Sequence, residues 1–458
     1  MKPHSPVPAS NRIDAVDVAR GFALLGILCV NVQFFSEPFG EYMNFAPTGP
    51  LADQLVHVGV HVLCTGKFYS LFSLLFGVGF ALQRTRVRDA AAVSWGPLYA
   101  RRLVFLLAVG AIHALGFWYG DILFLYATLG FVLLLLGHLP ARTLAIVGAA
   151  LLAFSLFLNT TFALLSTLSP RPQRTASVEV APPAPAEPAP AEPASTDSAS
   201  ANPDAAAPTS TELASPAPAK PPFERLLHAW RQGQGQSPDD PVWMQAETEA
   251  YRDGPYDQLF AFRALSWGFI LLISLFGFGW SVLGMFLIGA ALAKGNAFAP
   301  QHRALHRRLV AAGFLVGLPV AALGMWVISS GDQLWRLAVF TFTQGLSGPL
   351  MAGGFLGMWV LIVASGKLRL LTALLANAGR MAFTNYLMQT LIATTTFYFY
   401  GLGNFGSFSR VEQIVFVFSV YLFQLVFSTL WMHFFQIGPL EYLWRTATYL
   451  RAPRLTRA

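Results

Sequence analysis

The sequence predicts an all-α protein: a polytopic membrane helical bundle of about ten transmembrane helices with a long disordered external loop. Of the 458 residues, 55% are hydrophobic and 12% are charged, about half the charged fraction of soluble domains. The apolar residues also form blocks of about 18 or more, long enough to cross the hydrocarbon layer as helices. Because lipid offers no partner for backbone amides, such blocks must satisfy their hydrogen bonds internally.

The basic residues indicate how the predicted helices are oriented. With the N-terminus inside, 20 of the 30 Lys and Arg fall on the inner side, whereas the four short outer loops hold only Arg336 and Arg410. This asymmetry follows the positive-inside rule. Both termini are therefore predicted in the cytoplasm. The predicted spans are 17–35, 54–82, 98–118, 121–137, 142–166, 264–292, 308–328, 337–364, 380–400 and 411–435.

Four segments are predicted along the chain. Residues 1–166 form an N-terminal membrane half of five helices, and residues 264–458 form a C-terminal membrane half of five more. Residues 167–222 are rich in Ala and Pro, as in APPAPAEPAPAEPAS, and cannot bury enough apolar area to fold. Residues 223–263 alternate aromatic and charged side chains, which predicts short helices packed over the outer mouth of the bundle.

Charge and cysteine content exclude several functions. The net charge of +7 comes from basic residues at helix ends, so we expect membrane lipids as partners and no nucleic acid. Cys29 and Cys64 both lie in apolar spans, so no disulfide framework is predicted. No HExxH-type signature or cysteine ligand set is present, so we expect no metal. The residues themselves specify no cofactor.

Lys67 is the clearest candidate functional residue. It lies near the middle of the predicted span 54–82, and an ionisable group inside the bilayer costs about 2.5–3.5 kcal/mol on insertion scales. No acidic residue is predicted at the same depth. Lys67 is therefore predicted to receive an anionic ligand group, such as a phosphate or carboxylate. The alternative is a structural lysine bonded to helix carbonyls or to Asn and Gln side chains.

A second group of candidates lies near the outer face. His113 is predicted in the outer third of span 98–118, and Asp121 lies at the boundary beyond the turn WYGDILFLYA. The two approach each other if the turn folds back, and a His oriented by a carboxylate can act as a general base. His57 and His61 share one helix stripe with Asp53. The alternative is a hydrogen-bonded polar patch between outer helix ends.

A third group lies toward the inside. Asp17 and Arg20 fall in the first turns of span 17–35, where an acid favours the helix dipole, so capping with an ion pair is the alternative to anion binding. The segment NAGRMAFTNYLMQT predicts a polar stripe entering from the cytoplasmic side. Such stripes either hold helices together or line ligand tunnels. The stripe consists of Arg380, Thr384, Asn385 and Gln389.

Five segments carry a family resemblance that covers nearly all of the chain except the Ala/Pro-rich stretch. They are RIDAVDVARGFALLGILCVNVQFF, GKFYSLFSLLFGVGFAL, IHALGFWYGDILFLYA, AGRMAFTNYLMQTLI and IGPLEYLWRTATY. The chain resembles the YeiB-like bacterial membrane proteins, known as domain-of-unknown-function family 418. The N-terminal half is distantly similar to membrane acyltransferases of the heparan-glucosaminide acetyltransferase and acyltransferase-3 types. The arginine-to-histidine motif of acyltransferase-3 proteins is not found in span 17–35.

The resemblance implies a bacterial inner-membrane protein that passes an acyl group from cytoplasmic acyl-CoA to an external glycan or lipid acceptor. His113 would be the general base and Asp121 its orienting partner, with Lys67 and Arg380 meeting the anionic parts of the donor. The alternative functions are a transporter or flippase for an amphipathic anion and a partner protein without turnover. The substrate, the acceptor and the oligomeric state are left open, with a dimer among the alternatives.

Overall fold

The computed structural model describes residues 14–42, 45–89, 94–166, 220–235, 237–330 and 335–456. The Ala/Pro-rich stretch predicted to be a disordered loop lies outside the described residues, apart from its last three positions.

Most of the described residues are helical, and the β-structure among them is one isolated bridge between Phe435 and Thr456. The helices are α1 (Asp14–Ser36), α2 (Phe39–Tyr42), α3 (Leu51–Leu63), α4 (Lys67–Asp89), α5 (Trp95–Gly116), α6 (Leu123–Leu136), α7 (Ala141–Ser166), α8 (Pro222–Arg231), α9 (Pro241–Arg252), α10 (Tyr256–Ile273), α11 (Gly279–Lys294), α12 (Arg303–Ala311), α13 (Leu318–Ser329), α14 (Trp335–Ser365), α15 (Arg369–Arg380), α16 (Ala382–Phe397), α17 (Arg410–Phe434) and α18 (Pro439–Tyr449).

The predicted all-α polytopic class is confirmed. Among the described residues, eight helical stretches are long and apolar enough to cross a membrane. The other two predicted spans, 121–137 and 380–400, correspond to the shorter helices α6 and α16, of 14 and 16 residues. Two of the long stretches pass through single π-helical segments, Ser274–Phe278 and Ala312–Gly317.

Large apolar side chains cover the outside of the bundle. Phe162 and Leu315 are each 75% exposed, and only 17% of the apolar stretch of α7 is buried inside the protein. A soluble protein rarely exposes contiguous apolar surface on this scale. These faces are therefore the lipid-contacting surface of a multi-pass membrane protein.

The first helix lies at the centre of the bundle. α1 contacts α4, α14, α15, α16 and α17, and the buried apolar residues of its first half, from Ala15 to Leu24, belong to the largest apolar cluster. Elsewhere α11 packs against both α4 and α7. Helices of the predicted N-terminal and C-terminal halves therefore interdigitate, and α1 packs largely against the second half.

Two predicted spans are interrupted, which corrects the expectation of continuous helices. The span 54–82 breaks after Leu63, and Gly66 at the break has a φ of +82°, a conformation that glycine adopts without steric cost. The polar stripe predicted at the start of the span 380–400 is also divided, because Arg380 ends α15 and Met381 separates it from α16. Arg380 is thus not on the helix that carries Asn385 and Gln389.

Charged side chains hold several helix ends. Arg263 donates from Nη1 to the carbonyls of Leu115 (3.0 Å) and Gly116 (2.6 Å) at the end of α5. Lys294 donates to the carbonyl of Leu139 (2.5 Å), just after α6. Glu441 of α18 accepts from the backbone N–H groups at the start of α16, at 2.8 and 3.1 Å. Helix ends leave such backbone groups without intrahelical partners.

The segment predicted to be external forms a cap over the C-terminal end of α1. Trp243, Ala246 and Tyr251 of α9 pack in one apolar cluster with Phe35 of α1 and Trp118. α10 begins at Tyr256, earlier than the predicted start at residue 264. We call α8 and α9 the outer cap.

Glu247 connects the outer cap to the chain that follows α1. Its side chain is fully buried, and Oε2 accepts from the backbone N–H of Phe39 (3.2 Å) and from Trp243 Nε1 (3.1 Å). Burial raises the pKa of Glu247 from 4.5 to about 7. The titratable groups that face it are the phenols of Tyr119, Tyr251 and Tyr398, which are neutral in this pH range.

The raised pKa of Glu247 predicts that the outer cap loses stability as the pH rises. Between pH 4.5 and about 7, the folded state keeps a proton that the unfolded state releases, so acid favours the folded cap and the gain disappears above pH 7. Thermal unfolding or limited proteolysis from pH 5 to 8.5 will measure this slope. Glu247→Gln should flatten it, whereas the exposed control Glu224→Gln should not. Equal slopes of stability against pH in the two variants would exclude Glu247 as the origin of the pH dependence.

Candidate functional site

His113 and Asp121 meet at the C-terminal end of α5, which the charge asymmetry predicts to face outward. The ring Nδ1 of His113 lies 2.7 Å from Asp121 Oδ2, and both side chains are almost fully buried. α5 ends just after His113, whose carbonyl accepts from the N–H groups of Phe117 and Trp118. The chain then turns back on itself, which carries Asp121 to the histidine as the sequence predicted.

The other oxygen of Asp121 starts the next helix. Oδ1 accepts from the backbone N–H of Phe124, at 2.7 Å, in the first turn of α6. Both carboxylate oxygens therefore have hydrogen-bond partners, and the side chain satisfies a backbone N–H that the N-terminus of α6 leaves without an intrahelical partner.

The second ring nitrogen of His113 faces α16. Nε2 lies 2.9 Å from the hydroxyl of Thr390. Because the Asp121 carboxylate accepts from Nδ1–H, the neutral imidazole has its lone pair on Nε2, and the Thr390 hydroxyl donates to it. Tyr386 packs against the same ring, with centroids 5.4 Å apart. A neutral imidazole whose Nε2 lone pair accepts from a hydroxyl is the arrangement that a general base requires.

Lys67 is fully buried at the first residue of α4. Its ammonium donates to the carbonyl of His61 (3.0 Å) and to the side-chain oxygen of Gln344 on α14. The interruption of the helix leaves the His61 carbonyl without its intrahelical partner, and a cation is favourable at such a C-terminal end. These contacts match the alternative prediction for Lys67, a structural lysine that bonds a helix carbonyl and a Gln side chain.

The two histidines of α3 stack on each other, with ring centroids 4.2 Å apart. His57 Nε2 bonds the carbonyl of Phe45 at 3.1 Å, and His61 Nδ1 bonds the carbonyl of His57 at 3.0 Å. Asp53 lies apart from them and accepts from the N–H of Val411. His57 lines a cavity of about 20 Å³, room for about one water molecule.

Asn385 and Gln389 hold α16 against its neighbours. Asn385 Nδ2 donates to Ser428 Oγ at 2.9 Å, and Gln389 Nε2 donates to Gln424 Oε1 at 2.9 Å, both on α17. Gln389 also reaches the carbonyl of Leu24 on α1, at 3.4 Å. Polar contacts of this kind stabilise helix association in membranes.

The remaining predicted residues lie apart from these groups. Arg20 pairs with Asp17 at 2.7 Å on α1, and Arg380 donates to Asn377 within α15. The structure therefore joins His113 with Asp121 and joins Lys67 with the His61 carbonyl, but it does not gather the predicted residues into one site. Among the described residues, no group of three or more His, Cys, Asp and Glu side chains is arranged to hold a metal ion.

The sequence alone did not single out two of the partners. Thr390 and Gln344 are neutral polar residues in apolar helices, and each is 277 positions from the residue that it contacts. Hydroxyl and amide side chains are ordinary in membrane helices, so no local signal marked either residue.

The fold and the site define a polytopic membrane protein with a buried histidine–aspartate pair. The family described as "Protein of unknown function (DUF418)" matches residues 292–451. The chain is 30% identical to "Uncharacterized protein YxaH" of Bacillus subtilis (strain 168), over 98% of this chain and 97% of the relative. It is 31% identical to "Uncharacterized protein YeiB" of Escherichia coli (strain K12), over 95% and 96%.

The chain belongs to the DUF418 family of YeiB-like proteins. A third relative, the "Uncharacterized 39.9 kDa protein in amylase 3'region" of Bacillus acidopullulyticus, is 24% identical over 97% of this chain and 96% of its own length. No solved structure matches the chain.

The contacts of Lys67 predict a structural cost when it is replaced. Lys67→Met keeps the bulk of the side chain but removes the donors, which leaves the His61 carbonyl with only the longer bond from Gln344 Nε2, at 3.4 Å. We expect the free energy of unfolding to fall by about 1–3 kcal/mol, which is measured as a lower melting temperature in detergent. Lys294→Met, at a less buried helix end, is the matched control and should cost less. An unchanged melting temperature for Lys67→Met would contradict the structural role.

Proposed function

We propose that the protein is a membrane acyltransferase that moves an acyl group from a cytoplasmic acyl-CoA to a hydroxyl or amine acceptor on the outer side. The observation that carries the proposal is a hydrogen-bonded chain of three side chains. Asp121 Oδ2 lies 2.7 Å from Nδ1 of His113, and Nε2 of the same ring lies 2.9 Å from the Thr390 hydroxyl. This order presents a basic ring nitrogen to a hydroxyl in a water-poor region at the outer end of α5.

In this proposal His113 removes a proton from the acceptor. The acceptor hydroxyl takes the place of the Thr390 hydroxyl at Nε2, and its oxygen attacks the carbonyl carbon of the thioester. The proton moves to Nε2, the C–S bond breaks, and the coenzyme leaves as the thiol after His113 returns the proton. Asp121 keeps Nδ1 protonated and stabilises the imidazolium that forms.

The burial of the pair supports the same assignment. A carboxylate and an imidazole interact more strongly when they are buried than at a protein surface. Burying them also costs free energy that apolar side chains of similar size would not cost. Asp121 also starts α6, so the pair is held at both ends by helix geometry and is preorganised for proton transfer.

Replacing His113 should abolish acyl transfer. We expect His113→Ala to lose nearly all activity and Asp121→Asn to lose about two to four orders of magnitude, since the base and its tautomer are lost. The measurement is transfer or hydrolysis of radiolabelled acetyl-CoA by the purified protein in nanodiscs. The control is His433→Ala, which replaces an exposed histidine of α17. Binding and turnover absent in the wild type, or equal rates for wild type and His113→Ala, would refute the proposal.

The helix break at Lys67 favours a second candidate function, transport of an amphipathic anion. Discontinuous helices with a buried charge at the break are typical of transporter substrate sites. Lys67 bridges this break to Gln344 on α14, a helix that contains Pro349. A substrate carboxylate or phosphate would replace the His61 carbonyl and Gln344 at the ammonium.

Proteoliposomes discriminate transport from transfer. A transporter should show counterflow of a labelled anion without chemical change, and Lys67→Met should lose it while His113→Ala keeps it. Chemical conversion that depends on His113 would reject transport as the primary activity.

A further inference from the structure

An open apolar groove lies between the C-terminal end of α5 and the start of α10. Its volume is about 400 Å³, and volumes of about 300–1,000 Å³ are typical of ligand pockets. The lining residues come from the last turns of α5 and the first turns of α10: Ala111, Ile112, Leu115, Gly116, Tyr256 and Phe260. We call these six residues the α5–α10 groove.

The α5–α10 groove is part of the lipid-contacting surface. Ile112 is 65% exposed and Phe260 is 42% exposed, and both helices belong to stretches that are long and apolar enough to cross a membrane. α5 ends at Gly116 and α10 begins at Tyr256, so the groove lies where both apolar stretches end. This depth corresponds to lipid headgroups and the acyl segments next to them, where Tyr side chains are enriched.

Hydrogen bonds join the two helices at the polar end of the groove. The Tyr256 hydroxyl donates to the carbonyl of Gly116 at 3.1 Å. Nη1 of Arg263 donates to the carbonyls of Leu115 (3.0 Å) and Gly116 (2.6 Å). These bonds fix the spacing of the walls, and a preorganised groove loses less entropy when a ligand binds.

Protein atoms do not fill the space beside Gly116. A Cβ atom added there would meet no other atom within 4 Å. Side chains that border an unfilled space lose dispersion contacts on that side. In a membrane the molecules that reach this face are lipids, and a flexible acyl chain can follow a groove that helix packing leaves open.

A positive charge lies behind the polar end of the groove. Arg263 is fully buried, and its Nη1 also donates to the Tyr256 hydroxyl at 3.4 Å. No described carboxylate lies within 4.0 Å of this guanidinium, and the rings of Tyr256 and Tyr398 that face it are neutral. The nearest acid along the chain, Asp257, is exposed and accepts from Gln258 Nε2. A buried cation of this kind favours an anionic group nearby.

We propose that the α5–α10 groove binds an acyl chain of a membrane phospholipid, with the lipid phosphate at the end formed by Gly116 and Tyr256. The chain gains dispersion contacts with the apolar walls, and the phosphate is attracted by the charge of Arg263. Binding is measured without turnover, so this inference does not depend on acyl transfer.

Photo-crosslinking of the purified full-length protein tests the proposal. The delipidated protein in a neutral detergent is titrated with a phosphatidylcholine that carries a diazirine on one acyl chain, and the adducts are mapped by peptide mass spectrometry. We expect adducts on residues 111–116 and 256–260 to saturate. Adducts on the exposed face of α7, at Phe157 and Phe162, should instead rise in proportion to the probe. Proportional labelling of the groove would overturn the proposal.

Gly116→Leu fills the groove, and Gly96→Leu is the matched control. Both glycines lie on α5, and a Cβ atom at either would meet nothing within 4 Å, so neither substitution clashes with the protein. We expect Gly116→Leu to lower the apparent affinity of the groove for the probe by about tenfold or more, and Gly96→Leu to leave it unchanged. Unchanged labelling in Gly116→Leu, or equal weakening by both substitutions, would contradict the proposal.

Competition with unlabelled amphiphiles tests the phosphate contact in the wild type. Phosphatidylcholine should displace the probe from the groove at a lower concentration than a diacylglycerol with the same chains, because the diacylglycerol lacks the phosphate. Equal displacement by the diacylglycerol would reject the phosphate contact. Stronger displacement by a free fatty acid would reject phospholipid as the occupant.

Discussion

The need to satisfy backbone groups at interrupted helices organises this bundle. Hydrocarbon provides no hydrogen-bond partners, so each helix end inside the bundle must be covered by protein. Cations cover the C-terminal ends: Lys67 at the end of α3, Arg263 at the end of α5 and Lys294 after α6. Acids cover the N-terminal ends: Asp121 at α6 and Glu441 at α16. The signs follow the helix dipole.

This arrangement gives several ionisable residues a structural reason to be buried. Lys67 and Glu441 are both explained by the helix ends that they cover. His113 is different, because its two ring nitrogens bond side chains, Asp121 and Thr390. Asp121 thus couples two tasks: it starts α6 with one oxygen and orients His113 with the other. The ring of His113 covers no helix end and is paired with a carboxylate, which is why we propose that it carries the chemistry.

The sequence pattern predicted contacts between residues that lie close together along the chain. The turn between α5 and α6 is short, so His113 and Asp121 were predicted to approach from their spacing, and Asp17 with Arg20 followed from one helix turn. Arg380 was placed on the wrong helix, since the apolar run from 369 to 397 conceals the break at Met381. The pairing of Lys67 with Gln344, and of His113 with Thr390, joins residues 277 positions apart.

The sequence by itself determined the class of fold, the approximate membrane spans and the predicted orientation, because these depend on hydropathy and on the distribution of charge along the chain. Only the tertiary structure decided which polar groups meet. Membrane helices pack through small residues and polar contacts whose partners come from distant segments. The contacts that Gln83 of α4 and Trp444 of α18 make with Arg102 of α5 are therefore visible only in the folded protein.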